Sequence, residues 1–182
     1  MEPNLARMKT VQFVAGEERH AAAILAILNE AIVNSTALYD YVPREPAAMT
    51  AWFQGKKERN YPIIVAEADD GSVAGFASYG TFRPFPGYKY TVEHSVYVEK
   101  SCQREGLGRR LMLDLIEAAK EQNYHTMIGV IDSANAGSIR LHLELGFVPC
   151  GTIREAGFKF GRWLDVDFYQ LLLPTPERPC EG

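Results

Sequence analysis

Between positions 96 and 110 the chain reads Val96-Tyr97-Val98-Glu99-Lys100-Ser101-Cys102-Gln103-Arg104-Glu105-Gly106-Leu107-Gly108-Arg109-Arg110. An alternating apolar run gives way to a loop holding two glycines, and a helical apolar period begins directly after it. Glycines at 106 and 108 let the backbone come close to a ligand, and the unpaired N–H groups of a first helical turn point outward beside them. That combination binds phosphate. Arg104, Arg109 and Arg110 add positive charge where a pyrophosphate would lie. Two better-known phosphate patterns fail on the letters: a dinucleotide fingerprint needs a third glycine where this chain has Leu111, and a P-loop needs a Gly-Lys-Ser/Thr that is absent.

The elements that must hold this junction follow from hydrophobic period. Residues 17–34 carry Ile24, Ile27, Leu28, Ala31 and Ile32 at helical spacing, and a second short helix is predicted from Ala47 to about Lys57, after Pro46, with Trp52 and Phe53 inward. Residues 63–68 and 73–77 flank Asp69-Asp70-Gly71 as a hairpin. Beyond a Pro/Gly/aromatic loop, Tyr90 to Val98 alternates as a third strand, with Val92, His94, Val96 and Val98 on one face and Glu93, Ser95 and Tyr97 on the other. A helix from Gly106 to Gln122, a strand from His125 to Ile131, a helix from Asn135 to Leu145 stopped by Gly146, and strands at 147–153 and 166–172 complete the order α-α-β-β-β-α-β-α-β-β. Antiparallel hairpins followed by crossover helices predict an α/β fold with a mixed, mostly antiparallel sheet and helices on both faces. Residues 1–173 read as a single domain, and the Pro-rich stretch 174–182 as an extended tail.

Composition narrows the classes. The 182 residues carry 19 Lys+Arg against 23 Asp+Glu, a formal charge of −4, with 47% hydrophobic and 23% charged positions, the profile of a soluble globular domain that needs no staples. Mild acidity without a basic block speaks against nucleic acid or a membrane surface as partner. The opening residues lack a basic and an apolar leader segment, and the three cysteines, Cys102, Cys150 and Cys180, form no metal-binding or disulfide pattern, so a cytosolic protein with reduced thiols and no metal is expected.

Gln103-Arg104-Glu105-Gly106-Leu107-Gly108 fits Gln/Arg-x-x-Gly-x-Gly/Ala, the acyl-CoA motif of the GCN5-related N-acetyltransferases. Three further segments resemble the phosphinothricin/methionine sulfoximine acetyltransferase branch of that superfamily: Thr91 to Val98, Asn135 to His142, and Ala156 to Val166. The resemblance spans residues 10–173. It implies the superfamily's fold, acetyl-CoA as co-substrate, a small amino-acid-like amine as acceptor, and a homodimer.

Amide-forming acyl transfer sets three tasks: an ammonium must lose its proton, an oxyanion must be stabilised, and a thiolate must leave. For the first, Glu93 sits mid-strand ten residues before Gln103, so a strand rising about 3.3 Å per residue carries it beside a ligand whose pyrophosphate lies at the glycine loop. The matching glutamate of the branch is the proposed base. His94 points to the opposite face and reads as a packed histidine. For the second, the backbone of Val96, Tyr97 and Val98 is the candidate, pairing with a pantetheine arm as a peptide adds to a sheet edge. For the third, Asn135, Ser138 and His142 share one helix face, with Asn135 for a pantetheine amide and His142 as the thiolate acid, Tyr97 or Tyr169 being the alternatives. Substrate binding falls to Arg83 and Lys159 as cations for a carboxylate and to Tyr39 as pocket wall, beside Glu93 itself. The resemblance implies that Tyr39 and Arg83 lie near the substrate. Rival readings are the same fold acting on a protein N-terminus or a polyamine, and a non-catalytic acyl-CoA sensor.

Overall fold

The computed structural model describes residues 10–181; residues 1–9, including the opening stretch inspected above for a leader, and residue 182 lie outside the described residues. Among the described residues, seven strands form one sheet in the order β1-β2-β3-β4-β5-β7-β6, with β1 at Val11–Ala15, β2 at Ile63–Ala68, β3 at Val73–Thr81, β4 at Thr91–Val98, β5 at Thr126–Asp132, β6 at Val148–Lys159 and β7 at Arg162–Leu172. Every neighbouring pair is antiparallel except β4 with β5. This is the mixed, mostly antiparallel α/β sheet that the order of elements predicts.

Four α-helices among these residues cover the two faces. Helix α1 (Ala21–Asn34) buries Ile24, Leu25, Ile27, Leu28, Ala31 and Ile32, and α2 (Pro46–Glu58) buries Met49 and Phe53; both pack on Val65, Val73 and Phe76. Pro46 stands in the first turn of α2, where its missing N–H costs nothing. On the other face α3 (Leu107–Glu121) lays Leu111, Met112, Leu115, Ile116 and Ala119 against Ala77, Val92, Met127 and Ile131. Side chains such as Leu111 and Leu115 are wholly removed from water, each contributing about 1.5–3 kcal/mol. Helix α4 (Ala136–Glu144) is capped by Asn135, whose Oδ1 accepts the Ser138 N–H at 3.0 Å, and ends before Gly146 at φ +88°.

Two elements differ from the sequence reading. Strand β1 precedes α1, where the period analysis has no strand; it is a five-residue edge strand paired on one side only, too short to impose a period. Strands β6 and β7 are twelve and eleven residues long and form one hairpin turning at Phe160-Gly161, both at positive φ, whereas the sequence ends one strand at Ile153 and starts the next at Val166. The register shifts between Ile153 and Gly157, with Glu155 at φ +52°, and this bulge erases the alternation that would announce a strand. Residues 174–181 carry no helix or strand, and Thr175 ties them to the body by donating to the Tyr124 carbonyl.

Candidate active site

Strands β4 and β5 pair only between Thr91–Glu93 and Thr126–Ile128, although β4 runs on to Val98 and β5 to Asp132. Past Glu93 the two strands separate into a notch, because β5 is held by β7 on its other side while β4 stays with β3 through Val98. The N–H and C=O groups of residues 94–98 on that edge have no strand partner among the described residues. A pocket of about 260 Å³ fills the notch, walled by Glu93 to Tyr97 of β4, Val130 to Asp132 of β5, Thr36 to Tyr39 of the α1–α2 loop, and Asn135, Ser138 and His142 around α4. An extended amide chain entering here finds a row of backbone donors and acceptors.

The glycine loop stands at the wide end of β4. Glu99 accepts the Ser101 N–H at 2.7 Å, and the Gln103 side-chain NH2 donates to the Val98 carbonyl at 3.3 Å, which folds the loop back on the strand end. Left-handed backbone at Arg104 (φ +69°) and Gly106 (φ +83°) gives the loop the changes of hand by which successive N–H groups line an anion-binding concavity, just before α3 starts at Leu107. A Cβ on Gly106 would meet nothing within 4 Å and one on Gly108 only Val98 and Leu141 at 3.6 and 3.7 Å, so the protein leaves this surface open. Arg104, Glu105 and Arg109 are exposed around it, and Leu107 is buried as the first core residue of the helix.

Glu93 projects into the pocket from the α1/α2 face of the sheet and accepts no hydrogen bond among the described residues. Burial holds its carboxyl above the usual carboxylate range, and the nearby Arg83 guanidinium opposes that shift. Arg83 itself is exposed, stacked 4.8 Å over the Phe82 ring, outside the pocket wall but within electrostatic reach of it. Tyr97 lies four residues on along the same strand face, its phenol pushed by burial up to about 12 and therefore protonated at neutral pH.

On the opposite face His94 and His142 stack with ring centroids 4.9 Å apart and Nε2 to Nε2 at 2.9 Å. The Ser138 carbonyl 2.7 Å from His142 Nδ1 can only accept, so that nitrogen carries a proton. Burial depresses both imidazoles, His94 to about 3, so both rings are neutral; His142 Nε2 is then a bare acceptor, and His94 Nε2–H donates to it. Both nitrogens of His142 are engaged. The geometry therefore corrects its assignment as thiolate acid: its one proton faces a backbone carbonyl, and Ser138 Oγ stands 3.5 Å from the same nitrogen. Tyr169, the other alternative, is buried in the α3-side core.

Lys159 is also corrected. It is 4% exposed and lines no part of the pocket; its ammonium donates to the carbonyls of Ile32, Ser35 and Leu38 at 2.6, 2.8 and 2.5 Å. These are the orphan carbonyls at the end of α1 and in the loop that follows, where a cation is favoured. Tyr41 donates to the Phe158 carbonyl at 2.7 Å, and the Tyr39 ring lies where a Cβ on Gly157 would come within 2.5 Å. The β6–β7 tip thus clasps the pocket wall 36–41 from behind. Lys159→Met keeps the aliphatic stem and deletes three donors, so the fold should lose about 1–3 kcal/mol of stability; thermal unfolding checks this.

Asp132 carries no signal in the sequence beyond that of an ordinary turn residue, yet it ends β5 inside the pocket and is 7% exposed. Its Oδ1 accepts the Ala134 N–H at 2.9 Å, and its Oδ2 is buried without a hydrogen-bond partner among the described residues. The pocket residues Thr36 to Leu38 and Val130 are likewise invisible in the sequence, since only the fold brings a helix-ending loop over the notch. Asn135 and Ser138 do line the notch, with Asn135 Oδ1 committed to capping.

Residues 29–147 match the model of the acetyltransferase (GNAT) family. An L-methionine sulfoximine/L-methionine sulfone acetyltransferase of Pseudomonas paraeruginosa is 48% identical over 157 residues, 86% of this chain and 91% of its own. The solved structure of a protein from Acinetobacter baylyi ADP1 superposes with a TM-score of 0.95 at 54% identity, covering 97% of this chain and 99% of that one. A GNAT superfamily phosphinothricin acetyltransferase from Sinorhizobium meliloti, solved in complex with AcCoA, gives a TM-score of 0.90 at 32% identity, with 95% of each chain covered.

Proposed function

Because the chain belongs to the acetyltransferase (GNAT) family, we propose that it transfers the acetyl group of acetyl-CoA directly to the α-amine of a small amino acid of the methionine sulfoximine, methionine sulfone or phosphinothricin type, as a cytosolic homodimer. The observation that carries this reading is the notch: two adjacent strands that stop pairing after three residue pairs, with a glycine loop at one end and an unpartnered carboxylate at the other. The open β4 edge has the spacing of peptide-like donors and acceptors that a pantetheine arm requires, and the N–H groups of the 104–108 loop and the first turn of α3 suit a pyrophosphate.

Each residue then has a task that its surroundings support. Glu93 takes the proton of the substrate ammonium, its raised pKa bringing it nearer the amine's working range, directly or through one water. An unpaired N–H of the Val96–Val98 edge meets the carbonyl oxygen as charge grows on it. The leaving thiolate needs no dedicated acid, since a thiol with a pKa of about 8.5 is a competent leaving group near neutrality. Arg83 balances the substrate carboxylate at the pocket mouth. The dimer reading is supported by β6, an edge strand of twelve residues exposed almost throughout, with Val148, Ile153, Phe158, Phe160 and Trp163 around 46–59% exposed on this hairpin.

Release of free CoA from acetyl-CoA tests the function, with methionine sulfoximine, methionine sulfone, phosphinothricin, common amino acids, spermidine and a short peptide as acceptors. Turnover confined to the amino-acid analogues is expected; turnover with only spermidine or the peptide overturns the substrate class. Gly108→Val places two methyl groups on the open surface beside the loop and should raise the acetyl-CoA Kd at least about tenfold with an unchanged melting temperature, read by calorimetric titration. Unaltered affinity removes the loop from the binding site.

A further inference from the structure

A strand position calls for glycine when its backbone needs a positive φ or when a side chain would collide with something that cannot yield. Gly161, at φ +72° in the turn of the β6–β7 hairpin, is of the first kind. Gly157 is of the second. It lies within β6, paired with Leu164, and its φ is outside the left-handed region, so the backbone there would accept any residue. A Cβ on it would stand 2.5 and 2.7 Å from Cε2 and Cδ2 of Tyr39, well inside the roughly 3.5–4.0 Å of an ordinary carbon contact. The Tyr39 ring rests on bare strand.

The chain on both sides of that ring is tied to the same hairpin: the Leu38 carbonyl accepts from Lys159, and Tyr41 donates to the Phe158 carbonyl at 2.7 Å. The loop therefore cannot withdraw as a body, and a ring pushed off β6 moves into the cavity of about 260 Å³ that it walls together with Val130 and Val166. This wall faces the acceptor. Leu38 packs with the α1/α2 core, so the loop 36–39 lies over the sheet face from which Glu93 projects, whereas α3, which opens at the glycine loop, packs on the other face. The donor arm pairs with the β4 edge in the plane of the sheet, and the space between that plane and Tyr39 is left to the amine and its side chain.

We infer that Gly157 sets the size limit of the acceptor: having no side chain, it lets the Tyr39 ring lie back against β6, and the width kept in this way admits the acceptor's side chain. Gly157 is a positioning residue that acts through Tyr39, and the inference deepens the functional reading above and rests on it. Relief of the Cβ contact requires the ring to move by about 1 Å. An apolar wall separates ligands that differ by one methylene by about tenfold or more, so a shift of that size is readable in kcat/KM.

Gly157→Ala tests it on S-methylcysteine sulfone, methionine sulfone and ethionine sulfone, acceptors of one charge type in which each is longer than the last by one methylene. Expected is a fall of about tenfold or more in the ratio of kcat/KM for the longest to that for the shortest, with the acetyl-CoA Kd unchanged by calorimetric titration. In a Tyr39→Leu background, where no ring meets the new methyl group, the same substitution should leave that ratio within about twofold. An equal factor on all three acceptors, or the same change of ratio in the Tyr39→Leu background, makes Gly157 a purely structural residue of the hairpin and overturns the inference. So does a shift in acetyl-CoA affinity with an unchanged ratio, which would make the ring a wall of the donor arm. Wild-type enzyme that acetylates none of the sulfones removes the functional reading and this inference with it, an outcome visible before any variant is made.

Discussion

Glu93→Gln is expected to lower turnover by about two orders of magnitude or more while leaving the acetyl-CoA Kd within a factor of two. The substitution preserves shape and removes only the ability to take a proton. Glu93 stands on the face of β4 opposite its buried neighbours Val92 and His94, and no described hydrogen bond depends on its carboxylate, so the fold loses nothing. The sign of the pH dependence follows. A base works deprotonated; burial raises the Glu93 pKa against the opposing pull of Arg83, so the acid limb of kcat/KM lies above the usual carboxylate range and activity falls as pH drops through it. Arg83→Gln removes the opposing charge and moves that limb upward again. Undiminished turnover by the Glu93→Gln variant, at a pH where the amine is still protonated, would exclude Glu93 from the reaction.

The second large effect concerns stability. His94 and His142 are neutral when folded because burial depresses both, His94 to about 3, whereas an unfolded histidine titrates near 6.5. Between those values the unfolded chain binds protons that the folded chain refuses, so stability is lost as pH falls below about 6.5. At pH 5 the cost is about 2 kcal/mol from His94 alone, with His142 adding in the same direction. Carboxylates held low by partners, such as Glu67 and Glu99, begin to lose their contribution only below about 4.5, whereas Glu93, raised by burial, gains stability as pH falls and offsets part of the loss to the imidazoles. Urea unfolding at pH 7.5 and pH 5.0 should show the drop, and an unchanged midpoint would contradict a neutral buried pair. Gly129 belongs to the same arrangement: a Cβ there would stand 2.8 Å from His94 Nε2 and 3.0 Å from His142 Cδ2. Gly129→Ala should therefore cost about 1–3 kcal/mol by overpacking alone, and more if the imidazole pair parts.

The parts of the molecule that obey one local rule are readable from the letters. The α3 stripe, the alternation of β4, the capping Asn135 and terminating Gly146 of α4, and the two glycines before and after Leu107 each express a period or a backbone demand within a few residues. What depends on distant partners is not. Lys159 looks like any surface cation until the β6–β7 tip is seen against Ile32 near the end of α1, 127 residues earlier in the chain. His142 looks like a proton donor until His94, 48 residues away, and the Ser138 carbonyl occupy its two nitrogens. Strand β1 and the distal β6–β7 hairpin escape for a related reason: one is too short and the other too bulged for alternation to register. Asp132 looks like a turn residue because only the parting of β5 from β4 brings it into the pocket wall.

That parting divides the molecule mechanically. Seven residue pairs bind β3 to β4 and seven bind β5 to β7, but three join β4 to β5. The sheet is two blades hinged at one end, with α3 as the strap between them. A ligand seated in the open end acts as mortar, cross-linking the blades through backbone groups that otherwise face water. Binding of that kind stabilises the native state by RT ln(1 + [L]/Kd), about 2.7 kcal/mol at a hundredfold excess over Kd. An acyl donor bound across the notch therefore adds to the stability of the fold in proportion to the logarithm of its concentration, and it does so at the one junction of the central strands that backbone pairing leaves short.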